Sequence, residues 1–555
     1  MPAQDADLDR GFFGHPRGLS TLFFTEMWER LSYYGARVFL AIYMTTTTAL
    51  GGRGMSDAAT GTVMALYLSS VYLLSLPCGW IADRFIGQRK AVLIGGIGII
   101  VGNAMLASPI DPLFFPGLAC IAVGTGFLKT SASTMVGQLY RPDDIRRDSG
   151  YTIYYMGINL GAGLAPLIGM LIAQNPGFRH LLQNHGVDPN LCWKIGFAVP
   201  AVGMVVGLTQ YVLGGGRLGD AGLHPIVPSE PARARRDRRL LVAIVGGLVG
   251  LLVAGVLIDR YVFTLDKSIV VNTFGIGLVI AAIAIFTGLY RTARDAGERK
   301  RVLAMIPLLI GCIAFFGVSE QAATTLSLFA ERLVHRDYLG LHVVASAYQF
   351  INSFAIVALG SVFAWVWLRL ARSGKEPSTV HKFAIGMVIN CLSFVVMLPT
   401  LPTVSTVYGV NPDYLFAFPY RTVSPNYLIA MYVLSGCAEL CISPVGLSSM
   451  SKLAPARSAG MVMGTWFLGL AIANYLSGRA AGLSESHGYG FLFTTLIVSS
   501  AVVAIALFLV APAIRRMMAS DAPEPAPLPR AVAEPRTADP AAGHPGSKDA
   551  AAPAE

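Results

Sequence analysis

Apolar residues occur in long, nearly uninterrupted runs from about residue 19 to residue 513, and short polar stretches separate these runs. A helix needs about 20 apolar residues to cross a lipid bilayer, whereas a membrane β-strand shows about ten residues of alternating hydrophobicity. The uniform runs therefore predict an all-α membrane protein with fourteen spanning helices. The predicted spans are 19–45, 57–83, 91–108, 112–136, 150–173, 195–214, 239–258, 270–290, 303–330, 342–368, 383–400, 427–449, 458–479 and 489–513.

Basic residues follow a regular pattern in the loops between these spans. Cytoplasmic loops of membrane proteins are enriched in Lys and Arg. Every second loop of this chain is basic, whereas loops such as 108–112 and 400–426 carry few basic residues. The pattern predicts that both termini face the cytoplasm. The basic loops contain Arg84, Arg89 and Lys90; Arg141, Arg146 and Arg147; Arg233 to Arg239; Arg291 to Arg301; Arg369 to Lys382; Lys452 and Arg457; and Arg515 and Arg516.

Two long polar connections, at 214–239 and 290–301, divide the spans into groups of six, two and six. Two six-helix halves are typical of transporters that rock around a site near the middle of the membrane. The sequence after residue 515 is polar, rich in Pro and Ala and without periodicity, which is typical of disorder. We therefore predict an N-terminal six-helix bundle (1–216), a linker with two additional transmembrane helices (217–301), a C-terminal six-helix bundle (302–515) and a disordered cytoplasmic tail (516–555).

The composition agrees with a multi-pass protein of the cell (inner) membrane. Of the 555 residues, 54% are hydrophobic and 13% are charged, compared with about 25% charged residues in a soluble domain. The net charge of +10 does not indicate a nucleic-acid partner, because cytoplasmic retention of short loops explains the basic residues. The N-terminus lacks a short apolar segment followed by a cleavage site, so we expect the first span to act as its own signal.

Motifs for metal binding and for enzymatic chemistry are missing from the sequence. The seven cysteines are scattered, form no CxxC pair and have no His at metal-ligand spacing, which argues against disulfides and metal sites. There is no HExxH or GxSxG motif. The stretch GGGRLG (214–219) fits GxGxxG but follows a membrane helix instead of a strand, so it indicates a flexible loop. We expect no metal, no cofactor and no enzymatic activity.

Four charged residues lie within the first predicted span, which is the most unusual feature of the sequence. A charged side chain at the centre of a membrane helix costs several kcal/mol, so such residues usually face a cavity. At about 100° per residue, one broad face carries Glu26, Arg30, Tyr33, Tyr34 and Arg37, with Glu29 at its edge. For Glu26, capping of the helix near the membrane surface remains an alternative. Arg37 lies two turns deeper.

Isolated polar residues occur in five later spans: Lys129, Asn159, Glu320, Asn352 and Glu439. Snorkelling to the interface is an alternative for Lys129. For the two asparagines, ordinary interhelical hydrogen bonding is as good an explanation as ligand contact. The two glutamates have no neighbouring cation in the sequence, so each needs a cation in space or a proton.

These residues divide by charge between the two halves of the chain. Arg30, Arg37 and Lys129 supply cations in the first half, and Glu320 and Glu439 supply carboxylates in the second half. A zwitterion with separated ends fits this arrangement. A carboxylate that faces Arg or Lys across the halves can also form a closure pair that protonation breaks, because ion pairing lowers its pKa and desolvation raises it. Protons are therefore candidates for driving the cycle.

Several motifs in consecutive order give the chain a family resemblance. They are the ExxER motif formed by Glu26, Glu29 and Arg30, followed by SYYGAR; the segment around Lys129 that ends in VGQLY; YYMGINLGA; SEQAATTLSLFAE; and ELCISPVGLSSMSKLAPARSAGMVMGTWFLG. Over most of residues 20–500 the chain resembles the proton-dependent oligopeptide transporter family, a branch of the major facilitator superfamily. The two additional helices match the bacterial members of that family.

The resemblance implies uptake of di- and tripeptides together with protons by a monomer in the lipid bilayer. It implies that Arg37 and Lys129 hold the peptide carboxylate, that Glu439 holds the amino terminus and that Trp466 lines a side-chain pocket. Contacts to the peptide backbone are implied for Tyr34, Tyr72, Asn159 and Asn352.

The resemblance also implies roles in proton coupling and in conformational change. Glu320 is expected to be the proton-sensitive partner of Arg37, and the cluster of Glu26, Glu29 and Arg30 is expected to couple protonation to Lys129. The loop GWIADRFIGQRK (79–90) resembles the cytoplasmic hinge of major facilitator transporters, so Asp83 and Arg84 are expected to form a conformational latch.

Three positions depart from the family pattern. After Lys129 the chain has TSAST where the family commonly has Pro-Asn, Ser319 stands where Phe is common, and Leu470 replaces a small polar residue. These changes affect the expected preference among peptide side chains. The alternative function is a proton-coupled exporter of drugs or amino-acid derivatives with the same architecture, which need not retain both a carboxylate clamp and an amine acceptor.

Overall fold

The structure is a computed structural model, and it describes residues 9, 11–141, 144, 146–225, 235–242, 267–338, 340–402, 423–453 and 459–519. These residues are almost entirely helical, with one two-stranded antiparallel hairpin, β1 (Asp337–Tyr338) and β2 (Leu341–His342). The helices are α1 (Arg17–Thr45), α2 (Asp57–Ile81), α3 (Gln88–Ala107), α4 (Phe114–Gln138), α5 (Arg147–Leu164), α6 (Pro176–Asn184), α7 (Leu191–Leu213), α8 (Lys267–Thr292), α9 (Ala296–Ser319), α10 (Thr325–Leu333), α11 (Gln349–Arg372), α12 (Thr379–Val395), α13 (Pro425–Leu453) and α14 (Ala459–Ala519).

The all-α membrane fold predicted from the apolar runs is confirmed. Within the described residues, 11 helical stretches are long and apolar enough to cross a membrane. The charged helix α1 is not among the 11, and two predicted spans, 458–479 and 489–513, share the single stretch within α14. The predicted span 239–258 lies mostly outside the described residues, as does the tail after residue 519.

One predicted span is divided in the structure. The span predicted at 303–330 breaks where α9 ends at Ser319, and a 3₁₀ turn over Glu320–Ala323 leads to α10. The break places Glu320 at the end of a helix instead of in its middle. The long stretch α14 consists of two helices joined by a kink at Gly488, whose φ of 79° lets the chain change direction, and this kink lies between the last two predicted spans.

Within the described residues, the largest hydrophobic core joins the N-terminal bundle (α1–α7) to the C-terminal bundle (α9–α14) at one end of the molecule. We call this the closed end, and it contains the C-terminal half of α1 together with α10. The shared core there includes Phe39, Leu68 and Phe197 from one bundle and Leu326, Phe329 and Phe493 from the other. At the opposite end lie two further cores, one with Leu22, Leu128 and Met135, and one with Leu308, Met387 and Ile442 that also includes Tyr72 of α2.

A short N-terminal stretch fixes the start of α1, the helix that contains Glu26, Glu29, Arg30 and Arg37. The Nδ1 atom of His15 lies 2.9 Å from the hydroxyl of Tyr140, and Arg146 donates a 2.8 Å hydrogen bond to the carbonyl of Gly14. Burial and the nearby Arg146 charge lower the pKa of His15. The imidazole is therefore neutral at pH 7, and this anchor does not depend on its charge.

Glycines allow the closest approach between the two bundles, where α2 crosses α14. A Cβ atom at Gly61 would lie 2.2 Å from the carbonyl oxygen of Gly478, and a Cβ at Gly478 would lie 2.5 Å from the carbonyl oxygen of Gly61. The two backbones thus touch directly, as small residues permit in membrane helix packing. Any side chain at this crossing would push the two bundles apart.

We expect Gly478→Val to lower the melting temperature of the detergent-purified protein, because backbone atoms of α2 cannot yield to the new side chain. Overpacking of this kind costs about 1–3 kcal/mol. The matched control is Gly277→Val in α8, where nothing lies within 4 Å of a built Cβ. A Gly478→Val melting temperature equal to that of the control would contradict direct backbone contact at this crossing.

Candidate functional site

A cavity of about 710 Å³ lies between the two bundles. Volumes of roughly 300–1,000 Å³ are typical of sites that bind small molecules. Both bundles contribute to its wall, since residues of α1, α2, α4 and α5 face residues of α9, α11, α13 and α14. Eleven of the residues singled out in the sequence line it: Glu26, Arg30, Tyr34, Arg37, Tyr72, Lys129, Asn159, Glu320, Asn352, Glu439 and Trp466.

Three charges of α1 form a buried cluster at one side of this cavity. The Nε atom of Arg30 lies 2.8 Å from Glu26 and 2.9 Å from Glu29, and all three side chains are buried. Tyr154 of α5 donates a 2.6 Å hydrogen bond to Glu26. Glu29 does not line the cavity, in agreement with its position at the edge of the polar face. Two carboxylates therefore share one guanidinium, which leaves the cluster with an excess negative charge.

Lys129 reaches the cavity from α4, close to this cluster. Its ammonium group lies 4.3 Å from the ring centre of Tyr72 and 5.3 Å from that of Phe467. These are cation–π contacts, and Phe467 belongs to the opposite bundle. The side chain thus points between the bundles and not towards a membrane surface. Within the described ranges, no carboxylate lies within ion-pair distance of this ammonium.

Arg37 and Glu320 form an ion pair between the two bundles, and both side chains are largely buried. The guanidinium of Arg37 also lies 5.8 Å and 5.5 Å from the ring centres of Tyr33 and Tyr34. The break after α9 gives Glu320 its position opposite α1. Protonation of this carboxyl would remove the charge that Arg37 pairs with.

A second ion pair joins the bundles at the closed end, and sequence reasoning missed it. Arg332 of α10 donates two hydrogen bonds, of 2.6 Å and 2.7 Å, to the carboxylate of Asp57 at the start of α2. Nearby, Gln174 donates a 3.0 Å hydrogen bond to Glu331. Both charged residues lie at helix ends, where charges are ordinary, so nothing in the sequence marked them as a pair.

Glu439 of α13 is a second carboxylate of the C-terminal bundle that lines the cavity. Asn352 of α11 lies 3.4 Å from it, and this amide donates to the carboxylate. No cation lies within ion-pair distance of Glu439 in the part of the chain that the structure describes. Asn159, by contrast, bonds at 2.9 Å to the carbonyl of Tyr155 in its own helix. Asn352 thus forms an interhelical hydrogen bond between α11 and α13, whereas the hydrogen bond of Asn159 lies within its own helix.

Trp466 also lines the cavity. It is buried, and the edge of its ring meets α13, where a Cβ atom at Gly446 would come within 2.2 Å of it. Glycine at this position therefore makes room for the indole. The residues Tyr151, Tyr154, Tyr155, Ser319, Ser435 and Ser443 also line the cavity without having been singled out as site residues.

The loop expected to act as a latch lies away from the cavity. Asp83 accepts a 2.8 Å hydrogen bond from Gln88, and Arg84 lies 3.9 Å from Asp237. In the same loop, Arg89 donates hydrogen bonds to carbonyls of the segment after α7, including that of Ala221 at 2.8 Å. These hydrogen bonds thus attach the loop to the chain segment that follows α7.

Comparison with known proteins agrees with this geometry. The model of the PTR2, or POT, family matches residues 89–490. The chain is 33% identical to the peptide transporter YePEPT of Yersinia enterocolitica over 92% of its length and 96% of that protein, and 31% identical to a di-/tripeptide transporter of Lactococcus lactis over 92% and 98%.

Solved structures show the same fold. The crystal structure of a peptide transporter POT in complex with sulfate covers 92% of this chain and 97% of its own, with 35% identity and a TM-score of 0.79. A POT family transporter in complex with 5-aminolevulinic acid has 31% identity and a TM-score of 0.80 over 91% and 98%. The family match, the relatives and the paired charges between two bundles agree, and this chain belongs to the POT family of membrane transporters.

Proposed function

We propose that this protein imports di- and tripeptides with protons across the cell membrane by alternating access. The observation that carries the proposal is the charge division across the cavity. Arg37 and Lys129 from one bundle face Glu439 from the other, as a zwitterionic peptide requires. The relatives named as peptide transporters support peptides as the substrate class.

The peptide ends would bind to opposite bundles. Lys129 has two aromatic contacts but no carboxylate at ion-pair distance among the described residues, so its charge is available to a peptide carboxylate. Among the described residues, the hydrogen-bond partner of Glu439 is the Asn352 amide, so this carboxylate can accept an ammonium group. Each contact offsets the cost of a buried charge, which is several kcal/mol per ion.

The packing of the bundles supports an inward-facing state. The largest shared core and both inter-bundle ion pairs that the described residues form lie at the closed end, whereas most core residues at the opposite end pack within one bundle. The basic loops, including Arg84 and Arg89, belong to that opposite end, and basic loops face the cytoplasm. The closed end would therefore face outwards, and the cavity would open to the cell interior.

Proton coupling would act through the two clusters of buried charge. A proton on Glu320 neutralises the carboxylate that holds Arg37, which weakens closure and frees Arg37 for the peptide. The cluster of Glu26, Glu29 and Arg30 lies close to Lys129, so a peptide carboxylate that binds Lys129 would change the net charge that this cluster faces. Peptide binding and proton binding would thus support each other.

We expect Glu320→Gln to abolish peptide accumulation driven by a pH gradient in proteoliposomes while retaining peptide exchange. The variant keeps the shape of the side chain but cannot titrate. Glu376→Gln is the matched control, since Glu376 is exposed and bonds to Lys382 outside the cavity. Undiminished gradient-driven accumulation by Glu320→Gln would refute the proton role of this residue.

We expect Glu439→Ala to weaken uptake of free dipeptides by roughly 10- to 100-fold, because hydrogen bonds to charged groups contribute about 1.5–3 kcal/mol. N-acetylated dipeptides, which lack the charged amino end, should lose much less. Lys129→Ala is the complementary test. It should weaken uptake of peptides with a free carboxyl end more than uptake of peptides with an amidated one. Equal losses for acetylated and free peptides with Glu439→Ala would show that the orientation is wrong.

We expect Asp57→Arg and Arg332→Asp each to reduce uptake about tenfold or more, because each places like charges together at the closed end. The double variant Asp57→Arg/Arg332→Asp restores an ion pair of opposite polarity and should recover most of the activity. The control is Asp111→Asn, which alters an exposed ion pair with Arg53 inside one bundle. If the double variant were as impaired as the worse single variant, loss of the ion pair would be excluded as the cause of the reduced uptake.

A further inference from the structure

Two serine hydroxyls from different helices meet at the cavity wall of the C-terminal bundle. Ser319 is the last residue of α9 and Ser435 lies on α13, and their Oγ atoms are 3.2 Å apart. Both residues line the cavity, and Ser435 is only 4% exposed. Within the described residues, neither hydroxyl has another hydrogen-bond partner. We call these two residues the hydroxyl pair.

The hydroxyl pair has unused hydrogen-bonding capacity. Each serine hydroxyl supplies one donor and two acceptor lone pairs. Their mutual bond uses one donor and one lone pair, so one O–H and three lone pairs remain. A group that both donates and accepts, such as a hydroxyl or a carboxamide, matches this remainder. A methyl group does not, and it would leave the O–H unpaired in a largely buried position.

The hydroxyl pair lies close to Glu439, the residue proposed to bind the amino end of the peptide. Ser435 precedes Glu439 by four residues on α13, so the two side chains lie on the same helix face with Cβ atoms about 5–6 Å apart. Ser319 immediately precedes Glu320, the partner of Arg37. The hydroxyl pair therefore lies within one helical turn of Glu439, on its closed-end side.

The surroundings of the hydroxyl pair are apolar. Phe316 precedes Ser319 by one turn of α9, Met431 precedes Ser435 by one turn of α13, and Leu470 is a further lining residue of the same bundle. The two carboxylates nearby in sequence, Glu320 and Glu439, disfavour an acidic group at this point. The hydroxyl pair is thus a neutral polar point in an apolar wall.

We propose that the hydroxyl pair selects peptides whose first residue carries a hydroxyl or carboxamide side chain, such as Ser, Thr, Asn or Gln. The inference rests on the proposed function, in which Glu439 holds the amino group. The side chain of the first residue branches from the carbon that bears this amino group, so it begins within reach of Ser435. The side chain of the second residue begins one peptide unit further away.

The test is a competition assay in proteoliposomes that take up labelled Ala-Ala. Thr-Ala and Val-Ala are isosteric competitors that differ by one hydroxyl at the first position, and Ala-Thr and Ala-Val carry the same difference at the second. The wild-type protein should be inhibited by Thr-Ala at roughly 3- to 10-fold lower concentration than by Val-Ala, as one neutral hydrogen bond implies. The ratio for Ala-Thr and Ala-Val should be close to one.

Variants assign this preference to the hydroxyl pair. Ser319→Ala/Ser435→Ala should bring the Thr-Ala to Val-Ala ratio close to one, whereas Ser435→Thr keeps a hydroxyl and should retain the preference. The control is Ser393→Ala, a buried serine that bonds at 2.7 Å to the carbonyl of Asn390, which should keep the wild-type ratio.

Two results would overturn the inference. One is a wild-type protein that shows no preference for Thr-Ala over Val-Ala, or an equal preference for Ala-Thr over Ala-Val. This result needs no variant. The other is a double variant that still prefers Thr-Ala as strongly as the wild-type protein. If no dipeptide competes with or enters through the wild-type protein, the proposed function itself fails, and that outcome is distinct from both.

Discussion

The ion pair between Arg37 and Glu320 is the interaction on which the arrangement of the two bundles depends. Each partner alone would be an uncompensated charge in a buried position, at a cost of several kcal/mol. The pair links α1 to the end of α9, and both side chains are largely buried. Under the proposed function, opening of the closed end would require other partners for the two charges or a proton on the carboxylate.

Contact at the closed end combines this polar interaction with a shared apolar core. Phe39 of α1 and Phe329 of α10 belong to this core, and burial of apolar area is favourable but not directional. The ion pairs are directional, and they fix which residues of α1 and α2 lie opposite α9 and α10. At the other end, Leu22, Leu128 and Met135 pack within the N-terminal bundle.

Charge within the cavity is distributed so that some groups are paired and others are available. Glu26, Glu29 and Arg30 neutralise most of one another inside the N-terminal bundle. Lys129 and Glu439 face the cavity from opposite bundles with only aromatic or amide contacts. A ligand with separated opposite charges can thus pair with Lys129 and Glu439 at once. The two side chains could pair with each other only if the cavity between them closed.

The sequence by itself determined the membrane class, most helices and eleven residues of the cavity wall, because apolar runs and charges within them are local features whose energetic cost is large. It also marked Arg37 and Glu320 as charges in need of partners. Only the tertiary structure decided the break after Ser319, the ion pair between Asp57 and Arg332, and the meeting of Ser319 with Ser435. Those contacts join residues more than a hundred positions apart, and helical periodicity fixes which face a residue occupies but not which helix lies opposite that face.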